Sequence, residues 1–326
     1  MILNWENKPN LKNHKDFSKK NLINKLNSFF NTNKNNLLIN SENNSAISSM
    51  LNSKAIEKIN NNGGIKLIYI DPPYFTEKEQ LLKGKNKKVA YKDIHDHSIE
   101  NYLDKIYIQI YLLHKILADN GSIYIHVDYR TSSYIKIILD EIFGKKNLKG
   151  YIIWNINNGA KSKKFWSNQH NDILVYSKSE NFIFNKSSKF LKTAYSESSL
   201  KTHFRKKDAN GRNFRERIIN SKSYRYYADE GKLVGSVWND IKSMQANSPL
   251  MDEYTIYPNQ KPISLLTRII SASSNEGDYI LDSYCGSGSS LLAAEKLGRN
   301  WIGIDAENKS IETIESRIKK GSFYKV

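Results

Sequence analysis

Apolar positions along this 326-residue chain fall into short, nearly unbroken runs separated by stretches of helical periodicity. The run at 65–70 (IKLIYI) is entered through Gly63-Gly64 and closed by Asp71-Pro72-Pro73. That pattern predicts a buried parallel strand, stopped where proline cannot continue a central ladder. Leu103, Ile106, Ile110, Leu113 and Ile116 recur at helical spacing, and Asn120-Gly121 is expected to end that helix. A second strand is expected at 122–127, a helix at 133–143 stopped by Gly144, and strands at 151–154 and 173–176. The alternation returns near the C-terminus. A helix at 262–273 opens with proline, and a strand follows at 279–281. Next come a Gly/Ser turn at 282–290, a helix at 291–297 and a strand at 301–304 that runs into Asp305. Strands alternating with helices of this length predict an α/β fold with a doubly wound, mostly parallel, Rossmann-like sheet.

Two stretches fall outside this rhythm. Residues 1–36 are rich in Asn and Lys and show one short helix near 17–30, before the apolar run Leu37-Leu38-Ile39. Between 179 and 237 there are thirteen Lys and Arg against six Asp and Glu, a net charge of +7. Aromatic residues are interleaved there: Phe190, Phe204, Phe214, Tyr224, Tyr226 and Tyr227.

Charge changes the picture further. Fifty Lys and Arg face 33 Asp and Glu, giving a formal charge of +17. Such an excess favours a polyanionic partner such as nucleic acid, although an Asn-, Lys- and Ile-rich chain also reflects an AT-rich genome. The single cysteine, Cys285, excludes a disulfide framework or a cysteine zinc site within the chain, and the seven histidines are not at ligand spacing, so no metal is expected. No stretch has signal-peptide or membrane-helix character, which reads as a soluble, cytoplasmic protein without a membrane partner.

Two motifs carry chemistry. The turn Asp282-Ser283-Tyr284-Cys285-Gly286-Ser287-Gly288-Ser289-Ser290 lies between a strand and a helix. There a nucleotide can approach the backbone and meet free N–H donors. Asp305 stands 19 residues after Gly286, a spacing that suits an acid bonded to ribose hydroxyls. Taken alone, this turn also reads as a structural tight turn. Asp71-Pro72-Pro73-Tyr74 ends the first buried strand, where open α/β sheets place their sites. An exocyclic amino group is a poor nucleophile because its lone pair is delocalised into the ring. The Asp71 carboxylate and the Pro72 carbonyl, fixed by two prolines, could accept from its hydrogens and localise that pair. Tyr74 offers a face on which a flipped base can stack. The alternative is a Pro-Pro turn that merely closes a strand.

With these residues in place, the chain resembles the S-adenosylmethionine-dependent DNA amino-methyltransferases of bacterial restriction-modification systems, in their β arrangement. There the catalytic motif precedes the recognition region and the cofactor motif follows it. The blocks that match in order are 36–43, 67–74, 120–128, 170–178, 237–241, 257–262, 281–290 and 302–305. Ser283-Tyr284 stands where Pro-Phe is usual, Ser289 where Thr is common, and Glu42 where Asp is usual. The resemblance implies an N-terminal extension at 1–36, a catalytic half at 37–178, a target-recognition region at 179–254 and a cofactor half at 255–326. It implies catalysis by Asp71, Pro72, Pro73 and Tyr74. It implies S-adenosylmethionine held by Glu42, Asp71, Gln260, Lys261, Pro262, Asp282, Tyr284, Gly286, Ser287, Gly288, Ser289 and Asp305. Double-stranded DNA is the implied substrate, with a homodimer and a restriction endonuclease as candidate partners.

Methylation of a cytosine ring carbon needs a nucleophilic thiol, and the only one lies inside the cofactor turn. An amino nitrogen is therefore the expected acceptor. In the family, Asp at the first tetrapeptide position goes mostly with adenine N6 and Ser with cytosine N4, so Asp71 favours adenine. Cytosine-N4 methylation and a non-catalytic DNA-binding subunit are the alternatives; nothing identifies a reader of an RNA 2′-hydroxyl. Residues 157–166, with Lys161, Lys163 and Lys164, are a candidate backbone-binding loop. Lys83, Lys85, Lys87 and Lys88 lie in an expected loop at 75–92 that closes over DNA or is simply disordered. His126 and Asp128 are expected to be structural, and His203 and Trp238 carry no assigned role.

Overall fold

A computed structural model describes residues 2–13, 15–82, 88–94, 98–156, 162–244, 251–319 and 321–326. Lys83, Lys85, Lys87, Asn157 and Lys161 lie outside the described residues. Nine strands form the central sheet: β1 (Asn36–Asn40), β2 (Ile65–Ile70), β3 (Leu117–Val127), β4 (Leu148–Asn155), β5 (His170–Ser177), β6 (Val237–Trp238), β7 (Tyr279–Asp282), β8 (Asn300–Asp305) and β9 (Phe323–Lys325). Their order across the sheet is β6-β4-β5-β3-β2-β7-β8-β1-β9. All neighbouring pairs are parallel except those made by β5, which runs against both β3 and β4.

The expected doubly wound α/β arrangement is present, with helices on both faces. One face carries α1 (Lys20–Phe30), α2 (Asn43–Leu51), α3 (Lys54–Asn61), α4 (Ile99–Ile116) and α5 (Ser132–Leu139). A short helix, α6 (Glu197–His203), lies in the basic region, and the other face carries α7 (Ile263–Ser273), α8 (Ser289–Lys296) and α9 (Asn308–Arg317). Each face is a separate apolar layer, because alternate residues of a strand point to opposite sides. Ile68 and Ile70 enter one layer, while Leu67 and Tyr69 enter the other. No helix among the described residues is long and apolar enough to cross a membrane.

Three expectations are corrected. Asn120-Gly121 does not end a helix: α4 stops at Ile116 and β3 begins at Leu117, with a register shift against β2 before Ser122. Gly121 sits inside that strand because a Cβ there would lie 2.6 Å from Leu117 Cδ1 and 2.9 Å from the Ala118 carbonyl oxygen. The expected loop at 75–92 contains an antiparallel hairpin, Lys78–Leu81 with Val89–Asp93. Its lysines hid a small apolar cluster of Leu82, Ala90 and Tyr257. The helix expected at 133–143 is α-helical only to Leu139 and closes in a π turn, Asp140–Gly144, with Gly144 at φ +86°. The helices α2, α3 and α9 and the edge strand β9 were not expected.

In the basic region a three-stranded antiparallel sheet, Lys206–Lys207, Asn213–Ile219 and Lys222–Tyr227, stands apart from the central sheet. Trp238, which the sequence left without a role, is buried at the sheet edge, with the Arg268 guanidinium 5.0 Å from its ring centre. Arg268 also pairs with Asp240, so this block braces β6 against α7.

Candidate active site

The chain leaves β2 toward β3 on one side and leaves β7 toward β8 on the other, so the winding direction reverses between β2 and β7. A crevice opens at the carboxyl ends of strands at such a point. The ladder pairs Tyr69 with Asp282, Asp282 with Gly303, and Asn40 with Asp305. Asp71, Asp282 and Asp305 are thus brought to one edge by register alone. They line a shared cavity of about 200 Å³.

On the β2 side, Asp71 is held between two donors. The Tyr74 hydroxyl bonds one carboxylate oxygen and the Lys261 ammonium bonds the other. Burial, then the Asp71 charge, holds the Tyr74 hydroxyl well above its usual pKa, so it keeps its proton. Behind Tyr74 sits fully buried His126, its ring 6.3 Å from that of Tyr74 and inclined by 30°. His126 Nδ1 shares a 2.9 Å bond with the Tyr69 hydroxyl, and Nε2 shares a 2.9 Å bond with the Asn171 side-chain amide. Burial, with the nearby Lys261 charge, lowers its pKa to about 3, so the imidazole is a neutral strut. The expected structural role of His126 fits this environment.

On the β7 side, the Asp282 carboxylate ties down its own turn. It accepts from the Tyr284 N–H at 3.0 Å and from the Ser290 hydroxyl. Burial pushes its pKa up to about 7, against those two bonds. Asp305, raised by burial, accepts from Gly286 N–H at 2.8 Å and Glu307 N–H at 2.9 Å. Gly286 and Gly288 take φ of +49° and +75°, where glycine is favoured, and a Cβ on Gly286 would lie 3.2 Å from the Tyr257 ring. The turn is clamped from α9 by Ser310, which donates to the Gly286 carbonyl at 2.7 Å, and by Arg317, which donates to the Ser287 carbonyl at 2.6 Å.

Most of the residues singled out in the sequence converge here: Asp71, Pro73, Gln260, Lys261, Asp282, Tyr284, Gly286, Ser287, Ser289 and Asp305 line the cavity. Others have structural positions. Glu42 caps α2, accepting from the N–H groups of Asn44 and Ser45 at 3.1 and 2.9 Å, and its neighbour Asn43 faces the cavity instead. The Gln260 amide is spent inside its own turn, on Thr255 and the Glu253 carbonyl. Pro262 caps α7, and Pro72 is buried.

Sequence reasoning missed Tyr91 and Tyr257, whose rings stack at 6.4 Å and 21° on the cavity wall. It also missed Gln109, a buried polar side chain on α4 that bonds Tyr284 and Ser283 at 2.7 and 3.1 Å. A glutamine among the apolar positions of α4 was the available signal for the latter.

The lining discriminates between ligands. Four carboxylates, Asp71, Asp282, Asp305 and Glu307, face two lysines, Lys92 and Lys261. Phosphates would be repelled, whereas a ligand with a sulfonium and an ammonium would be attracted, and the tyrosine faces suit both a cation and a heteroaromatic ring. The residues therefore fit S-adenosylmethionine. Cys285 Sγ is turned onto the Ile304 carbonyl at 3.2 Å, and burial raises its pKa well above that of a free thiol. It is no nucleophile.

Residues 65–316 match the family of N6/N4 methyltransferases described as DNA methylase. The chain is 28% identical to the type II methyltransferase M.EcaI of Enterobacter cloacae, over 78% of this chain and 65% of that one. It is 28% identical to the DNA adenine methyltransferase YhdJ of Escherichia coli K12, over 80% of this chain and 78% of that one. Among solved structures, the PvuII DNA methyltransferase, titled as cytosine-N4-specific, superposes with a TM-score of 0.52. It covers 79% of this chain and 80% of its own at 16% identity, a likeness of fold.

Proposed function

This chain belongs to the N6/N4 DNA methylase family, and from that premise we propose that it methylates the N6 amino group of adenine in DNA, with S-adenosylmethionine as donor and Asp71-Pro72-Pro73-Tyr74 as the catalytic centre. The observation that carries the reading is the cavity that Asp71, the Gly286 turn and Asp305 line together, with the Tyr74 hydroxyl bonded to Asp71. The cofactor would supply a methyl group made electrophilic by its sulfonium.

The protein's own residues do the rest. Asp282 and the clamps from α9 hold the glycine turn in shape, Asp305 presents a carboxylate toward ribose hydroxyls, and the Tyr91–Tyr257 wall excludes water from the ring. Tyr74 receives the flipped base on its face. The Asp71 carboxylate and the Pro72 carbonyl accept from the amino N–H groups, so nitrogen lone-pair density builds where the methyl arrives. Each Asp71 oxygen already accepts one bond, from the Tyr74 hydroxyl or from Lys261, and keeps a second lone pair for the amino group. Residues 179–254 serve target recognition in this reading.

Adenine is preferred for two reasons. Asp71 occupies the position that goes with adenine in the family, and YhdJ, similar over most of the chain, is named an adenine enzyme. Methyl transfer from tritiated cofactor to plasmid DNA is expected for the native protein and lost by at least roughly a hundredfold in Asp71→Ala. Unchanged transfer in that variant overturns the mechanism. Mass spectrometry of the nucleosides is expected to show N6-methyladenine; N4-methylcytosine would overturn the base assignment.

A further inference from the structure

The basic region is not uniformly basic in what it can offer. Asn213–Ile219 and Lys222–Tyr227 form a two-stranded ribbon closed by Asn220-Ser221, both at positive φ (49° and 61°). Such two-residue turns match the twist of the strands and make a stiff hairpin. Seven residues extend about 23 Å.

The pairing register divides its side chains between two faces. One face carries Phe214, Glu216 and Ile218 opposite Tyr227, Arg225 and Ser223. Its cations are already used: Arg225 and Lys206 pair with Glu216. Nearby Arg212 pairs with Asp229 and Glu230, 3.9 Å from the Tyr227 ring centre. The other face carries Arg215, Arg217 and Ile219 opposite Tyr226, Tyr224 and Lys222. At its root Arg215 lies within 5.3 Å of the rings of Tyr195, Phe204 and Tyr226, as a packed strut. Beyond it, Arg217, Tyr224, Ile219 and Lys222 are all exposed, and neither cation has an ion-pair or hydrogen-bond partner among the described residues.

We propose that this ribbon enters the DNA major groove with the Arg217–Tyr224 face toward the bases, and that Arg217 reads a guanine of the target sequence. The groove is about 12 Å wide and admits a two-stranded ribbon. A free guanidinium on a stiff strand can donate to guanine O6 and N7 together, and Lys222 at the tip meets phosphate. The Glu216 face, with its charge internally cancelled, turns away from the polyanion.

This inference rests on the DNA-methylating reading above. The test expresses the full chain in cells without DNA methylation, as native protein, Arg217→Ala and Arg225→Ala, and reads modified sites by single-molecule sequencing. Steady-state kinetics on the native site and calorimetry with S-adenosylmethionine accompany it. Arg217→Ala is expected to lower kcat/KM by roughly ten- to a hundredfold. It is also expected to admit other bases at one guanine position while binding cofactor normally. Arg225→Ala is expected to leave the methylated sequence unchanged. Two results overturn the inference: Arg217→Ala that keeps both sequence and rate, or a loss uniform over all sequences with a shallower salt dependence, which marks a phosphate contact. A native protein that binds cofactor but methylates no DNA overturns the underlying function, and this inference falls with it.

Discussion

Lys261 and Asp71, 190 residues apart in sequence, are joined side chain to side chain in the cavity, with only 10% and 17% of the two side chains exposed. At this burial, removing one partner strands the other. Lys261→Met and Asp71→Ala are each expected to destabilise the protein by about 1–3 kcal/mol, the cost of leaving a buried polar group unsatisfied. The double variant should lose less than the sum, with a coupling of about 0.5–3 kcal/mol. Denaturant titration of all four proteins measures it. Strict additivity would mean that the pair has no energetic reality.

Asp282 makes stability depend on pH in an unusual direction. Burial raises its pKa from 3.8 to about 7, so the folded state binds the proton more tightly than the unfolded chain. Its contribution is therefore full below about pH 4 and is lost as pH rises through about 7. Asp282→Asn keeps an acceptor for the Tyr284 N–H. It should gain on the native protein by up to about 4 kcal/mol between pH 4 and pH 8. Parallel stability curves for the two proteins across that range would contradict the buried-acid picture.

The thiol of Cys285 should be dispensable. It is buried against the Ile304 carbonyl, with its pKa raised. Iodoacetamide is expected to leave the folded protein unmodified, and Cys285→Ala to retain methyl transfer. Loss of transfer in a folded, cofactor-binding Cys285→Ala would put the thiol back into the chemistry.

Gly288 should be less replaceable than Gly277. Both take positive φ, +75° and +83°, but a Cβ at 288 would lie 2.8 Å from Ile314 Cγ1 on α9, while nothing lies within 4 Å at 277. Gly277→Ala therefore carries backbone strain alone, of order 1 kcal/mol. Gly288→Ala adds a clash that pushes α9 off the cofactor turn, and should weaken S-adenosylmethionine binding as well. Equal effects on thermal stability and affinity would refute this division.

Local patterns made much of the fold legible. The IKLIYI run and the Gly/Ser turn each announced a strand end, and Asp71, Asp282 and Asp305 all arrived at one cavity. What stayed hidden depends on partners distant in sequence. Gln109 looks like one polar residue on an apolar helix until α4 lies beside Tyr284. Tyr91 sits in a lysine-rich stretch whose hairpin is held by Asp93, which accepts from Thr76 N–H and hydroxyl at 2.7 and 2.6 Å. Glu42 reads as a ligand in a motif, but locally its carboxylate caps the helix that follows. The basic region looked like a single charged surface, because ion pairing across a hairpin register cannot be seen in composition.

The interleaving of β2 with β7, and of β1 with β8 and β9, has a consequence for dissecting the protein. Cutting the chain within the basic region separates β1–β5 from β6–β9. Neither fragment then holds all its strands in one sheet: the first keeps β4-β5-β3-β2 and an orphaned β1, and the second keeps β7-β8 with β6 and β9 stranded. Each would expose long apolar strand edges and aggregate alone. Mixed together, the fragments can complete each other's ladders, so activity should return only on complementation. The protein is thus suited to use as a split reporter, with its breakpoint in the basic region.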